Sequence, residues 1–155
     1  MALFLSTRAI NIAAIALTGL ALVFGAGPIV AHASVQNRVV AVVSISEQKM
    51  AVSVAGRPTF EWKVSTAGKG YVTPTGAFKP YRMHEMWHSR KYDNAPMPHS
   101  VFYSGGYAIH ATPHVKQLGR PASHGCVRLS PRNAEDFYKL VEAFGPSNTH
   151  IVIVD

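Results

Sequence analysis

Gly119-Arg120-Pro121-Ala122-Ser123-His124-Gly125-Cys126-Val127-Arg128-Leu129 contains the only cysteine of a 155-residue chain. A lone cysteine has no internal disulfide partner, so Cys126 is a free thiol and a candidate nucleophile. Such a thiol attacks a carbonyl well when a base lies within hydrogen-bond reach and part of it is thiolate. Two histidines are close in sequence. His124 stands two residues before the cysteine, and on an extended segment both side chains share one face. His110, in Ile109-His110-Ala111-Thr112, lies sixteen positions upstream, at the end of a separate expected strand. It approaches the sulfur from the side, which makes it the better base. Gly125 permits positive φ and close approach, and backbone N–H groups near Gly125 and Cys126 would face an oxyanion. Ser123 reads as a hydrogen-bonding residue rather than a rival nucleophile.

The N-terminus implies export. Arg8 is the last charge before Arg38, the stretch between is almost wholly apolar or small, and it ends in Ala31-His32-Ala33. Charged start, apolar middle and A-x-A exit are the parts of a signal peptide, expected here over residues 1–33 with cleavage after Ala33. The alternative is an N-terminal membrane anchor, since the run is long enough to cross a bilayer. The expected location is the periplasm or cell wall. Residues 34–155 then form one domain large enough to hold a core.

Without Arg8, fourteen Lys and Arg face eight Asp and Glu, a net charge of +6. That balance suits an anionic partner such as a wall polymer. The basic residues are scattered and form no run, so no nucleic-acid partner is expected. Neither a metal nor another cofactor is expected: His84 and His88 have the i, i+4 spacing of helical zinc ligands, with Glu85 between them, but they sit in a Pro-bounded, Met- and Trp-rich segment rather than a helical one.

Valine-rich and alternating runs at Asn37–Ser46, Met50–Val54 and Phe60–Ser65, with a turn at Gly56-Arg57-Pro58, predict antiparallel strands of a mainly β, sandwich-like domain. Val101-Phe102-Tyr103 and Tyr107-Ala108-Ile109 read as a hairpin, and Thr149–Val154 as a closing strand. One helix is expected after the cysteine motif. Ser130 caps it, Pro131 opens it, Ala134, Phe137, Leu140, Val141 and Phe144 form its apolar face, and Gly145-Pro146 stops it. Residues 80–100 have no clean period and read as a functional loop or lid, with Trp87 and Tyr92 as substrate-contacting candidates.

The Ser123-His124-Gly125-Cys126 core, taken with Ile109-His110-Ala111-Thr112, resembles the L,D-transpeptidase catalytic domain of the YkuD family. The likeness reaches upstream to Val64-Ser65-Thr66-Ala67-Gly68 and Thr73-Pro74-Thr75-Gly76-Ala77-Phe78, and so covers residues 37 to 155. The resemblance implies a β-sandwich-like enzyme acting on peptidoglycan stem peptides. Cys126 would take the acyl group of a tetrapeptide, expel D-alanine, and pass the acyl group to a neighbouring stem amine as a 3→3 cross-link. His110 inherits the role of base, with Ser123 and His124 supporting the site and Arg128 holding a substrate carboxylate or shaping the pocket. Carbapenem-type inhibitors are expected to acylate the same thiol. The acceptor alternatives are water, as in an L,D-carboxypeptidase, or a protein amine, as when an outer-membrane protein is attached to the wall. A non-catalytic wall-binding protein is the alternative of another class. One departure stands out: many members have glycine where this chain has Ala111.

Overall fold

Alternation along the valine-rich segments builds the first of two sheets in the computed structural model, which describes residues 38–155. The expected signal segment, its cleavage point and the Asn37 start of the first strand lie outside the described residues. In β1 (Val39–Ser44), Val39, Ala41 and Val43 are buried while Val42 faces out. The sheet is completed by β2 (Lys49–Val54), β3 (Arg57–Lys63), β4 (Gly76–Phe78) and β9 (Thr149–Val154), in the order β3-β2-β1-β9-β4. The pairings are antiparallel except β1 with β9, where a parallel register brings Ala41 beside Ile151. β3 starts three residues earlier than the sequence predicts. Ala55 and Gly56 both take positive φ (52° and 76°), so the hairpin closes in two residues and Arg57 and Pro58 already belong to the strand.

The second sheet has the order β5-β6-β7-β8, from β5 (Arg82–His88), β6 (Pro96–Ser104), β7 (Tyr107–Ala111) and β8 (Val127–Leu129). β5, β6 and β7 pair antiparallel, and β7 pairs with β8 in parallel. The long loop expected over residues 80–100 is therefore mostly a hairpin, whose tip alone (residues 89–95) is irregular. His84 and His88 fall on its strand β5, where their spacing has no helical meaning.

The two sheets and α1 (Pro131–Phe144) share one core. Val39, Val43, Met50, Val101, Ile109, Leu129, Phe137, Ile151 and Ile153 meet there almost completely excluded from water. α1 has the predicted ends: Ser130 Oγ accepts the Asn133 N–H at 3.3 Å, Pro131 opens the first turn, and Gly145 (φ 85°) closes the last. Its Ala134, Phe137 and Val141 are buried, and it packs on β6, β7 and β8. The architecture is the expected mainly β, sandwich-like one with a single α-helix among the described residues, and no described helix is long and apolar enough to cross a membrane.

Adjacent residues in a strand point to opposite faces, so the second sheet has two uses. Val101, Ile109, Val127 and Leu129 face the core. Phe102 and Ala108 face away and form a second apolar cluster with Met97, Trp87 and Cys126. That outer face is the floor of a cleft.

Candidate active site

Cys126 immediately precedes β8, and the chain reaches it through a bend at His124 and Gly125. The bend needs glycine. Gly125 has φ 124°, and an added Cβ would lie 2.5 Å from the Tyr107 ring and 2.7 Å from the Val72 carbonyl oxygen. Two hydroxyls clamp the turn. Ser123 Oγ donates to the Cys126 carbonyl at 2.6 Å and accepts the Gly125 N–H at 3.0 Å. Thr73 Oγ1 donates to the Gly125 carbonyl at 2.8 Å and accepts the Ala67 N–H at 3.0 Å.

The backbone beside this turn is anchored as firmly. Ser65 and Arg128 exchange N–H···O bonds of 3.0 and 2.9 Å, and the Thr66 carbonyl accepts from Ala122 and Ser123 at 3.0 and 2.8 Å. Buried Gln48, itself at φ 53°, accepts the Thr66 N–H with its side-chain oxygen at 2.9 Å. The Val64–Gly68 segment is thus a splint along the cysteine strand. Thr73 and Gln48 carry no chemical signal in the sequence beyond their place in or near a recurring motif.

His110 and Arg128 are register partners across β7 and β8, and Ile109 pairs with Val127. One residue back, this register sets Ala108 beside Cys126. His110 and Cys126 are then diagonal neighbours on one face, about 7–8 Å apart at the backbone, which an imidazole and a thiol can span. Both line a cleft of 540 Å³, with Arg128, Trp87, Tyr92 and His124 among its walls.

The ring of His110 is almost fully buried, and Nδ1 lies 2.7 Å from the Ala111 carbonyl oxygen. A carbonyl can only accept, so Nδ1 carries the proton and Nε2 is the free acceptor. Ala111 does not disturb this bond. Its side chain points the opposite way along the strand, into the core, where it is 1% exposed. Burial lowers the imidazole pKa to about 4; the Ala111 hydrogen bond acts upward and the Arg128 charge adds to the lowering. The Cys126 thiol is pushed up, chiefly by burial, while a backbone hydrogen bond from Ala108 and the Arg128 charge act downward. The pair is thus a neutral imidazole beside a neutral thiol, without the positive histidine field that would hold a standing thiolate.

His124 lines the same cleft as the thiol, but the bend at His124 and Gly125 breaks the extended geometry that would align the two along a strand. Its exposed ring stacks on Tyr92 (4.4 Å, 15°) and meets the edge of Tyr71 (4.5 Å, 76°). The hairpin tip is thereby pinned to the cysteine segment and walls one side of the cleft. Arg128 is half-buried, donates from Nη1 to the Ala122 carbonyl at 3.2 Å, and has no carboxylate partner among the described residues. Trp87 stands on the hairpin wall, stacked with His84 at 4.7 Å.

The family model of the L,D-transpeptidase catalytic domain, YkuD, matches residues 38–153. The chain belongs to that family. Among solved structures it is similar to an L,D-transpeptidase from Mycobacterium smegmatis, at 24% identity and a TM-score of 0.67, over 76% of this chain and 59% of that one. It is also similar to the L,D-transpeptidase LdtMt1 in complex with imipenem (23%, TM-score 0.66, 75% and 58% covered). L,D-transpeptidase 3 from Mycobacterium tuberculosis with a faropenem-derived adduct gives 22% identity and a TM-score of 0.65, over 76% and 60% of the two chains. This L,D-transpeptidase-family chain thus spans about three-fifths of the length of the solved structures it matches. No curated protein matches the sequence.

Proposed function

We propose that the chain is a peptidoglycan L,D-transpeptidase in which Cys126 is the nucleophile and His110 the general base. The observation that carries this reading is a neutral imidazole with free Nε2 on β7 and a thiol at the entry to β8, both lining one cleft. The chemistry follows from those charge states. His110 Nε2 takes the thiol proton as sulfur attacks the carbonyl of the stem's L-centre–D-centre bond, so thiolate forms only as it reacts. The oxyanion is met by the Cys126 N–H, because the Gly125 N–H is already held by Ser123. His110 then returns the proton to the departing amine, D-alanine leaves, and a thioester remains. A neighbouring stem amine, deprotonated by the same imidazole, attacks the thioester and forms the 3→3 cross-link, while the C–S bond breaks and the departing Cys126 sulfur takes the proton back from His110.

Arg128, without a carboxylate partner among the described residues and two residues along from the sulfur, holds the terminal carboxylate of the donor. Ser123, His124 and Gly125 keep the nucleophile turn in shape, while Trp87 and Tyr92 hold the stem against the hairpin wall. Acylation by carbapenem-type inhibitors belongs to the same reading, supported by the imipenem and faropenem structures of its relatives. The export signal expected over residues 1–33 would put the enzyme where its substrate is, in the periplasm or wall.

Incubation with purified muropeptides tests the function. Cross-linked dimers with release of D-alanine are expected. Tripeptide alone would make the protein an L,D-carboxypeptidase, and no product from any stem would contradict an acyl-transfer role.

A further inference from the structure

The first sheet has an outer face as well as a core face, and in a sandwich the outward residues are normally polar. Here they are not. Val40, Val42, Ala51, Ala77, Val152 and Val154 alternate with buried neighbours and point outward. Register sets Ala51, Val42, Val152 and Ala77 in one row across four strands. Val42 is 37% exposed and Val154 43%. Every side chain in the row is small, so the face is flat, with no aromatic anchor to seat in a partner.

Charge is confined to the margins of this face, and its two ends differ. At the end where the chain enters β1, the Arg38 carbonyl accepts the Ala55 N–H at 2.9 Å. The ladder therefore continues, and alternation carries the Arg38 side chain to the outer side. His150 stands opposite Val40 on that side. Its pKa is lowered by burial and then by the Arg38 and Lys79 charges, so the three basic groups are neighbours. None of the three forms an ion pair among the described residues. The opposite end is mixed: Lys49 pairs with Glu61 at 3.0 Å, beside Lys63.

We infer that this outer face docks on an anionic lipid surface, with the Arg38, His150 and Lys79 end at the headgroups and the valine row against the interface. A second copy fits less well. The five strands, about 4.8 Å apart and about 20 Å long, give roughly 400 Å², half of what each partner of a stable complex buries. A soluble anionic polymer would meet the cations and leave the valines bare. A lipid surface is planar and meets both the apolar row and the cationic margin. The chain also leads there. Seven residues separate Val30, the last of the apolar N-terminal stretch, from Arg38, a span of at most about 30 Å. The export expected of that stretch thus delivers the basic end of the face beside a bilayer. The outer face of the second sheet, on the opposite side of the sandwich, is the cleft floor. Docking therefore turns the cleft away from the lipid, toward the wall. Only that consequence rests on the transpeptidase reading; the docking does not.

An environment-sensitive fluorophore on a single cysteine tests this in the full-length Cys126→Ala protein. One version carries the probe on Val42→Cys, the other on Asn94→Cys, at the exposed hairpin tip on the cleft side. Vesicles of phosphatidylcholine mixed with phosphatidylglycerol should blue-shift the probe at position 42 and leave the one at 94 unchanged. Phosphatidylcholine alone should shift neither. Arg38→Gln and Lys79→Gln should each weaken the vesicle titration about five-fold, the effect of one surface cation. Ala51→Asp, at an exposed position in the row, should remove the shift, and thermal unfolding checks that each variant stays folded. No shift at 42, equal shifts at both positions, an equal shift on uncharged vesicles, or a titration unmoved by both charge variants would overturn the inference. So would a shift produced by soluble polyphosphate, which puts a polymer on the face. A shift that grows with protein concentration without vesicles puts a second copy there and overturns it too. Acylation of the wild-type protein by a stem reads the enzyme separately, so failure of either result leaves the other standing.

Discussion

His110 on β7 and Cys126 at the entry to the neighbouring parallel strand β8 face one cleft, and burial lowers the pKa of the imidazole while raising that of the thiol. Both partners are uncharged near neutral pH. Alkylation of Cys126 by iodoacetamide should therefore be slow near pH 7 and accelerate only above the ordinary thiol range. Acylation by a stem should instead stay level across neutral pH and fall on the acid side near pH 4, as His110 takes up a proton. His110→Gln should slow acylation by about 10²- to 10⁴-fold, read by mass spectrometry over time. Thiolate absorbance already present at neutral pH would contradict the neutral pair.

The same lowering makes stability depend on pH. In the unfolded chain the imidazole takes up its proton near pH 6.5, and in the folded chain at about 4. Between those values the unfolded state binds more protons, so stability falls as pH drops through the window and is fully restored above it. The span corresponds to about 3 kcal/mol. Urea unfolding at pH 7 and pH 4.5 should show the loss in wild type and a smaller one in His110→Gln.

Ser123 holds two backbone groups of the nucleophile turn, and Gly125 has neither the φ nor the room for a side chain. Ser123→Ala should cost about 1–3 kcal/mol by leaving the Gly125 N–H and Cys126 carbonyl unpaired, and should slow acylation. Gly125→Ala should abolish acylation, since the Val72 carbonyl as well as the Tyr107 ring blocks the new methyl. Thermal unfolding beside carbapenem adduct formation separates the two effects.

Tyr92 stacks on His124 and pins the hairpin tip to the cysteine segment. Its removal frees one wall of the cleft and leaves the nucleophile turn intact. Tyr92→Ala should raise KM for the stem by about 2- to 10-fold, the equivalent of one aromatic pair, with a smaller change in kcat. Steady-state kinetics reads the split.

Much of this arrangement is written in short-range pattern. Valine alternation gives β1 and β2, the Ser130-Pro131 start and Gly145-Pro146 stop delimit α1, and Ser104-Gly105-Gly106 joins β6 to β7. β5 and the first half of β6 escape such a reading for a physical reason, whereas Val101-Phe102-Tyr103 is legible as a strand. His99 sits at φ 52° and interrupts the alternation, so Met97 and Phe102 face the cleft although they are five positions apart, an odd number. Pro96 and Pro98 add breaker signals inside a paired strand. In the site, Cys126, His110, Ser123, Gly125 and Arg128 come from two short, chemically distinctive stretches. Thr73 and Gln48 reach it through long-range hydrogen bonds, which no local spacing encodes. The strand-like alignment expected of His124 and Cys126 presumed extended backbone, and a bend with Gly125 at φ 124° replaces it, although both side chains still line the cleft.

The central claim is that Cys126 carries the acyl group. Intact-protein mass spectrometry after brief exposure to a tetrapeptide stem, followed by mapping of the modified peptide, tests it most directly. The predicted result is a mass gain equal to the stem's acyl part without its terminal D-alanine, located on Cys126 and absent from Cys126→Ala. An unmodified wild-type protein, or the same adduct on Cys126→Ala, would contradict the account.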